Sequence, residues 1–198
     1  ELATIYQALA VTFTMMRQAE HAARMYMNAW ECHFNAGEVK KGLDLVTKMS
    51  PGWMDITDPD SLLRILARAL TYAEPESADA ADIMALNAVA EHYRGGGRTA
   101  EGRMDESLEI ARRLNDPASL IRVLEKKGFV MRSYRKARWD ELRAVLLEII
   151  DLEPEDPIDP TIPTAGRRTT QREDLVEQII GIGKVRDARP FAHRLLPK

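Results

Sequence analysis

The stretch DESLEIARRLNDPASLIRVLEKKG, residues 105–128, contains two apolar stripes separated by a short break. Apolar or small residues recur every three or four positions within each stripe: Leu108, Ala111, Leu114, Leu120, Leu124 and Gly128. This spacing predicts two amphipathic helices. Between them, Asn115 can take a left-handed conformation that ends the first helix. Asp116 can then accept hydrogen bonds from the free amides of the next helix, whose first position suits Pro117.

Helical spacing of apolar residues continues through most of the chain, and no alternating run predicts a strand. The predicted helices are 2–14 and 16–35 (or one bent element), 38–49, 59–73, 77–95, 100–114, 117–134, 137–152 and 171–186. Most of the predicted connections are short, so sequence neighbours should lie side by side and antiparallel. The fold class is therefore predicted to be all-α.

Two segments suggest internal repetition. DPDSLLRIL at 58–66 and DPASLIRVL at 116–124 are identical at six of nine positions. They are either two similar helix starts or copies of one repeat, and repeats predict a stacked array. Ala90 and Gly128 are small residues at equivalent positions of two predicted hairpins, and they are 38 residues apart. This separation is slightly longer than the ~34-residue repeat of a tetratricopeptide (TPR) unit. We expect an irregular, TPR-like array of helical hairpins, an α-solenoid.

The array is predicted to span 1–152 and to be followed by two further segments. Pro154, Pro157, Pro160 and Pro163 recur every third residue, which predicts a polyproline-like strap over 153–170. Thr170 has capping-box spacing to a glutamate three residues later, at the start of a predicted helix within 171–198. We expect this helix to cap the array, although it could instead reach a neighbouring chain.

Composition narrows the function classes. The 198 residues carry a net charge of −3, which does not favour nucleic-acid binding by this segment, although basic clusters at 132–138 and 167–172 leave that alternative open. No apolar run is long enough to span a membrane, and no signal peptide is apparent. The single cysteine, Cys32, predicts a reducing, cytoplasmic location. Because the chain begins with Glu1, we expect it to be a piece of a longer protein.

Catalytic and cofactor motifs are not found. None of the four histidines occurs in a Glu-x-x-His or His-Glu-x-x-His pattern, so no metal site is predicted. GIGKV at 181–185 lacks the first glycine and the hydroxyl residue of a phosphate-binding loop. We therefore expect no enzyme activity and no cofactor.

The segment 70–131 resembles a known family. SLEIARRLNDPASLIRVLEKKG is similar to the phrase ALELARRLGDPATLARALLARG, and LLRILARAL at 62–70 matches an upstream LLxRAL phrase. The two phrases that these segments resemble are typical of the degenerate TPR-like region of bacterial LuxR-type and antibiotic-regulatory STAND ATPase transcriptional regulators. The resemblance implies a sensor or scaffold region that binds a protein, a peptide or a small-molecule inducer. The ATP-binding and DNA-binding portions of that family are absent from this sequence.

Applying TPR groove spacing to the positions around Ala90 and Gly128 predicts a partner-binding groove. Its residues would be Asn87, Glu91, Arg94, Arg122, Glu125, Phe129 and Arg132. Arg94 and Arg132 would stack in line and suit carboxylates of a peptide or ligand. The alternative is that these residues are ordinary exposed charges on helices.

The predicted function is a non-catalytic protein- or peptide-binding, signal-input module of a bacterial transcriptional regulator. The alternative is a helical-repeat binder of a small molecule or nucleic acid. A cluster of methionines near the N-terminus, Met15, Met16, Met25 and Met27, could line an adaptable groove, but a loosely specified core is the expected reading. The sequence does not specify the partner or the oligomeric state.

Overall fold

A computed structural model describes residues 1–16, 18–47, 59–133 and 139–152. Within these ranges the chain forms eight helices and no strand: α1 (Leu2–Met15), α2 (Ala19–Asn35), α3 (Val39–Thr47), α4 (Pro59–Leu70), α5 (Ala78–Tyr93), α6 (Gly97–Leu114), α7 (Pro117–Ser133) and α8 (Trp139–Leu152). The prediction of an all-α helical array is confirmed. The predicted strap at 153–170, the helix at 171–186 and most of the two basic clusters lie outside the described residues.

The break in the opening stretch has the predicted geometry. Asn115 has φ 53° and ψ 33°, the left-handed conformation that ends α6. Both carboxylate oxygens of Asp116 accept backbone hydrogen bonds, from Ala118 at 3.1 Å and from Ser119 at 3.3 Å. Pro117 is the first residue of α7. All three parts of this turn follow from local side-chain chemistry, which is why the sequence predicted them.

The start of α6 differs from the prediction. The helix begins at Gly97, three residues before the predicted position 100, and Gly96 is its N-cap. The amide of Ala100 already donates to the carbonyl of Gly96 at 2.9 Å. Gly95 and Gly96 therefore lie in the turn between α5 and α6, and Gly97 is the first residue of the helix.

Two hairpins are closed by the same turn. Gly37 between α2 and α3 has φ 74°, and Gly95 between α5 and α6 has φ 94°. In both turns the next amide donates to a carbonyl five residues earlier, Glu38 to His33 at 2.9 Å and Gly96 to Glu91 at 2.8 Å. This is the Schellman pattern, in which a left-handed glycine satisfies the last carbonyls of a helix.

The chain divides into two compact units, 1–130 and 131–198. This division falls inside α7. In the first unit α1 packs on α2, α2 on α3, α3 on α4 and α5, and α5 on both α4 and α6. In the second unit, α8 buries one face with helical spacing: Leu142, Val145, Leu146 and Ile149.

Helix α5 is the core of the first unit. Every residue from Ala80 to Ala90 is buried. Such a helix is normally apolar all round, and its many alanines let neighbouring helices approach closely. Its two buried polar side chains accept hydrogen bonds from other helices, Asn87 from Arg103 of α6 and Asp82 from Arg122 of α7. These contacts affect which predicted site residues a partner can reach.

Candidate groove between two helices

The first predicted groove residue, Asn87, does not reach a groove. Its side chain is 2% exposed, and its Oδ1 accepts a hydrogen bond from Arg103 Nη1 at 2.7 Å. Neighbouring helices cover α5, so a side chain at this position points to α6 and not to solvent. The placement of Asn87 among exposed binding residues is therefore corrected.

Arg122 is also used inside the protein. Its Nε donates to the fully buried Asp82 carboxylate on α5, and Lys126 Nζ donates to the other oxygen of that carboxylate at 2.8 Å. Lys126 is itself only 3% exposed. We call Asp82, Arg122 and Lys126 the buried charge cluster. Arg122 thus joins α7 to α5 through this cluster, but its side chain is 35% exposed, so its role in partner binding stays a prediction.

The remaining predicted groove residues have mixed positions. Arg94 is exposed and pairs with Asp60 on α4, with Nε 3.1 Å from Oδ1. Phe129 stacks on Tyr93 with ring centroids 6.0 Å apart, which brings it close to the end of α5. Glu91 and Glu125 are half-buried, and Arg132 is exposed in the second unit. The alignment of Arg94 with Arg132 stays a prediction.

A different groove lies within the first unit, between α2 and α4. It has a volume of about 320 Å³ and is lined by Met27, Asn28, Trp30, Glu31 and Phe34 of α2 and by Ser61, Arg64, Ile65 and Arg68 of α4. We call it the α2/α4 groove. One wall is therefore mainly aromatic and aliphatic, and the other carries two arginines.

The aromatic wall is tightly organised. The rings of Trp30 and Phe34 meet edge to face with centroids 5.5 Å apart, and Phe34 stacks on Tyr72 at 5.1 Å. On the other side, a Cβ added at Gly42 of α3 would lie 3.0 Å from the Phe34 ring. The absence of a side chain at Gly42 thus lets α3 approach closely and helps to hold this ring in place.

The two arginines of the other wall form hydrogen bonds with neutral partners. Arg64 Nη2 donates to Ser61 Oγ at 3.0 Å, and Arg68 Nη2 donates to Asn35 Oδ1 at 3.1 Å. The Arg68 guanidinium also lies 5.6 Å from the centroid of the Phe34 ring. All of these partners are neutral, and among the described residues neither arginine forms a salt bridge. A guanidinium has five N–H donors, so each side chain has further donors that no described residue occupies.

One polar group in the aromatic wall has no hydrogen-bond partner. Trp30 Nε1 is buried, and no acceptor lies within hydrogen-bond distance of it in the part of the chain that the structure describes.

A second pocket, also of about 320 Å³, lies among α1, α2 and α3 and is more polar. Its lining consists of Thr4, Gln7, His33, Lys41, Asp44 and Leu45. The buried His33 ring lies between Glu38 Oε2, 2.7 Å from Nδ1, and Gln7 Nε2, 3.2 Å from Nε2. The Gln7 amide is oriented to donate to Nε2, so Nδ1–H donates to the carboxylate. This network joins the three helices, and all of the ring's hydrogen-bonding capacity is used.

Glu38 makes the stability of this network dependent on pH. Hydrogen bonds from Lys41 and then from His33 hold the pKa of the Glu38 carboxyl below its ordinary value of 4.5. A lowered folded-state pKa stabilises the fold above pH 4.5, and this stabilisation is lost as the pH falls through the folded-state pKa. We therefore expect Glu38→Gln to show a shallower fall in melting temperature below that pH than the unmodified chain.

The measurement is thermal unfolding followed by circular dichroism in buffers across the acid range. The control is Glu106→Gln, at an exposed position on α6. If the two glutamine variants have superimposable acid limbs, Glu38 does not contribute this pH dependence.

Two further titratable groups near the core, Asp79 and His92, have shifted pKa values. Burial, followed by the charges of Asp44 and Asp82, raises the pKa of the Asp79 carboxyl. Burial lowers the pKa of His92. Within the described ranges, no three His, Cys, Asp or Glu side chains come together in a way that could hold a metal ion. None of the described helices has the length and apolar character needed to cross a membrane.

The residues of the α2/α4 groove were missed by the sequence analysis, although a signal was present. Trp30 and Phe34 are four residues apart, as are Arg64 and Arg68, so each pair shares one helix face. Met27, which lines the groove, belongs to the N-terminal methionine cluster. Nothing in the local patterns showed that α2 and α4 would face each other.

Comparisons with known proteins add information on the fold. No protein-family model and no curated protein matches the chain. Among solved structures, the chain is similar to the crystal structure of BtubC (BKLC) from P. vanneervenii, with a TM-score of 0.55 and 15% sequence identity. The match covers 98% of this chain and 87% of that one. At this identity the similarity shows a shared fold and carries no function.

Proposed function

We propose that this chain is a non-catalytic, protein- or peptide-binding module that serves as the signal-input region of a bacterial transcriptional regulator. The observation that carries the binding role is the α2/α4 groove. It combines an ordered aromatic wall with two arginines that have no acidic partner among the described residues. Arginine is among the residue types most enriched at the energetic centres of protein interfaces.

The size and setting of the groove also support recognition of a peptide segment. Its volume of about 320 Å³ lies at the lower end of the range for binding sites, which leaves room for a few side chains of a partner. Both walls are helices of one compact unit, so the binding residues are held by packed elements and not by a loop. Such pre-organisation lowers the entropic cost of binding.

The binding role is tested by selection from a display library of random twelve-residue peptides. We expect enriched sequences that bind the purified chain in fluorescence anisotropy. Binding should be lost in Asn28→Trp, which places a large ring in the groove, and retained in Thr99→Trp, at an exposed position on α6. A library that yields no enriched peptide, or peptides that bind both tryptophan variants equally, would contradict the proposal.

The regulator role rests on the resemblance of residues 70–131 to the TPR-like regions of bacterial LuxR-type and antibiotic-regulatory ATPases. It is tested by reading the coding sequence on both sides of this segment. A nucleotide-binding domain before it or a DNA-binding domain after it would support the role, and a stand-alone reading frame would count heavily against it. A cytoplasmic location belongs to this proposal and is consistent with a single cysteine in the chain.

A second candidate function, binding of a small-molecule inducer, is favoured by the polar pocket among α1, α2 and α3. Lys41 and Asp44 supply charges of both signs at the rim of this pocket. A small polar compound that raises the melting temperature of the chain, but not that of Lys41→Met, would favour this function over peptide binding.

A further inference from the structure

We infer that the occupant of the α2/α4 groove is an extended acidic peptide segment in which two carboxylates flank one large apolar side chain. This inference rests on the proposed function and specifies the chemistry of the partner. It follows from three properties of the groove, namely its charge, the spacing of its arginines and the difference between its walls.

Charge defines the first requirement. Arg64 and Arg68 both line the groove, and within the described residues their side chains donate hydrogen bonds to neutral oxygens. Two like charges four residues apart on a helix repel each other, so the free groove is destabilised by its own arginines. Carboxylates of a bound segment remove this repulsion and form charge-assisted hydrogen bonds with the free guanidinium donors.

Spacing defines the second requirement. Four helical residues rise about 6 Å along α4, which is the axial separation of Arg64 and Arg68. In an extended peptide, residues i and i+2 lie on the same side about 6.6–6.8 Å apart. Acidic residues at these two positions therefore match both arginines, whereas adjacent acidic residues point to opposite sides.

The opposite wall defines the residue between the two acids. Side chains of an extended segment alternate, so residue i+1 faces α2 when its neighbours face α4. There it meets the half-buried Met27 and the small exposed parts of Trp30 and Phe34, which are 2% and 6% exposed. A large apolar side chain fits this surface, because it gains area burial against Met27 and the exposed edges of the two rings.

Glu31 strengthens the distinction between the two walls. It is the acidic residue of the groove lining, is exposed, and lies on α2 beside the aromatic residues. A carboxylate at position i+1 would approach Glu31, whereas carboxylates at i and i+2 approach the arginines. Glu31 therefore disfavours acidic side chains at the central position, which gives the groove a repulsive element of specificity.

The test uses a fluorescein-labelled peptide of twelve residues with a central Asp-Phe-Asp sequence flanked by glycine and serine. Three comparison peptides carry Asn-Phe-Asn, Asp-Ala-Asp or Asp-Asp-Phe at the centre. Titration with the full chain in fluorescence anisotropy should give the tightest binding for Asp-Phe-Asp. We expect each comparison peptide to bind about tenfold more weakly or worse, since each loses a charged or an apolar contact.

The protein variants test the assignment of each wall. Arg64→Ala and Arg68→Ala should each weaken binding of the Asp-Phe-Asp peptide about tenfold or more, and Glu31→Gln should tighten it about two- to threefold. Arg98→Ala, at an exposed arginine on α6 away from the groove, is the matched control and should leave binding unchanged. Circular dichroism of each variant verifies that helicity is retained.

The inference is overturned if Asn-Phe-Asn binds as tightly as Asp-Phe-Asp, or if Arg64→Ala and Arg68→Ala behave like Arg98→Ala. It is also overturned if the random library yields groove-binding peptides that contain no acid–apolar–acid sequence. In that case the proposed peptide-binding function stands and only the chemistry of the occupant is wrong. A library with no enriched peptides would instead remove the proposed function itself.

Discussion

Replacing Asp82 with alanine is expected to lower the free energy of unfolding by about 3–5 kcal/mol, the range for breaking a buried ion pair by removing one partner. The Asp82 side chain is fully buried on α5 and receives hydrogen bonds from Arg122 and Lys126 of α7. Without its carboxylate, the Lys126 ammonium, in a residue only 3% exposed, remains in the core without a counter-charge. Arg122 is 35% exposed in its side chain and can turn toward solvent, so most of the loss comes from Lys126.

The measurement is equilibrium unfolding in urea, compared with Asp105→Ala. Asp105 forms a similar contact, with Oδ1 3.2 Å from Lys127 Nζ, but its own side chain is 67% exposed. Exposed ion pairs contribute about 0–1 kcal/mol, so the Asp105 variant should differ little from the unmodified chain. Equal losses in the two variants would show that the buried charge cluster does not stabilise the unit.

If Asp82→Ala does not fold, a double variant keeps the prediction testable. Asp82→Leu combined with Lys126→Met removes both buried charges and leaves apolar side chains of similar length. Replacing buried ion pairs in this way is often neutral or stabilising. We therefore expect the double variant to be folded and to have a higher free energy of unfolding than Asp82→Ala. If the two are equally unstable, an unpaired buried charge is not the cause of the loss in Asp82→Ala.

Leu66→Ala should lower the free energy of unfolding by about 2–5 kcal/mol, as expected when a fully buried leucine is truncated and a cavity remains. Leu66 is 0% exposed and lies on α4, which packs against α5 and carries Arg64 and Arg68. Its neighbours along the same face, Leu62 and Ala69, are also 0% exposed, so the site has little freedom to collapse. The prediction thus links the stability of α4 to the position of the groove arginines.

Urea unfolding measures this effect, with Leu9→Ala as the control. Leu9 lies on α1 and is 40% exposed, so its truncation removes less buried area and should cost less than about 1 kcal/mol. A Leu66 variant as stable as the Leu9 variant would show that α4 is not held by this face. At peptide concentrations below saturation, the folded fraction of Leu66→Ala should still bind the Asp-Phe-Asp peptide, because the groove side chains are intact.

Local features of the fold followed directly from the amino-acid sequence. The left-handed conformation of Asn115, the capping by Asp116 and the position of Pro117 depend on chemistry within a few residues, and all three were predicted correctly. The apolar periodicity predicted helices throughout the described ranges. The start of α6 was misplaced by three residues because Gly97 was taken as part of the turn, whereas the helix begins at Gly97 with Gly96 as its N-cap.

The binding surface could not be predicted in the same way, because it depends on which helix covers which. Asn87 has the spacing of a groove residue, but its contact with Arg103, 16 residues away along the chain, turns it inward. Arg122 contacts Asp82, 40 residues away, while its side chain stays 35% exposed. The α2/α4 groove likewise brings Phe34 beside Arg68, which lie on different helices. The sequence alone determined the helices and their turns, since hydrogen bonds and caps act over one or two turns. Only the tertiary structure decided which faces of α5 are buried and which walls form a groove, because burial is a property of long-range packing and not of any single helix.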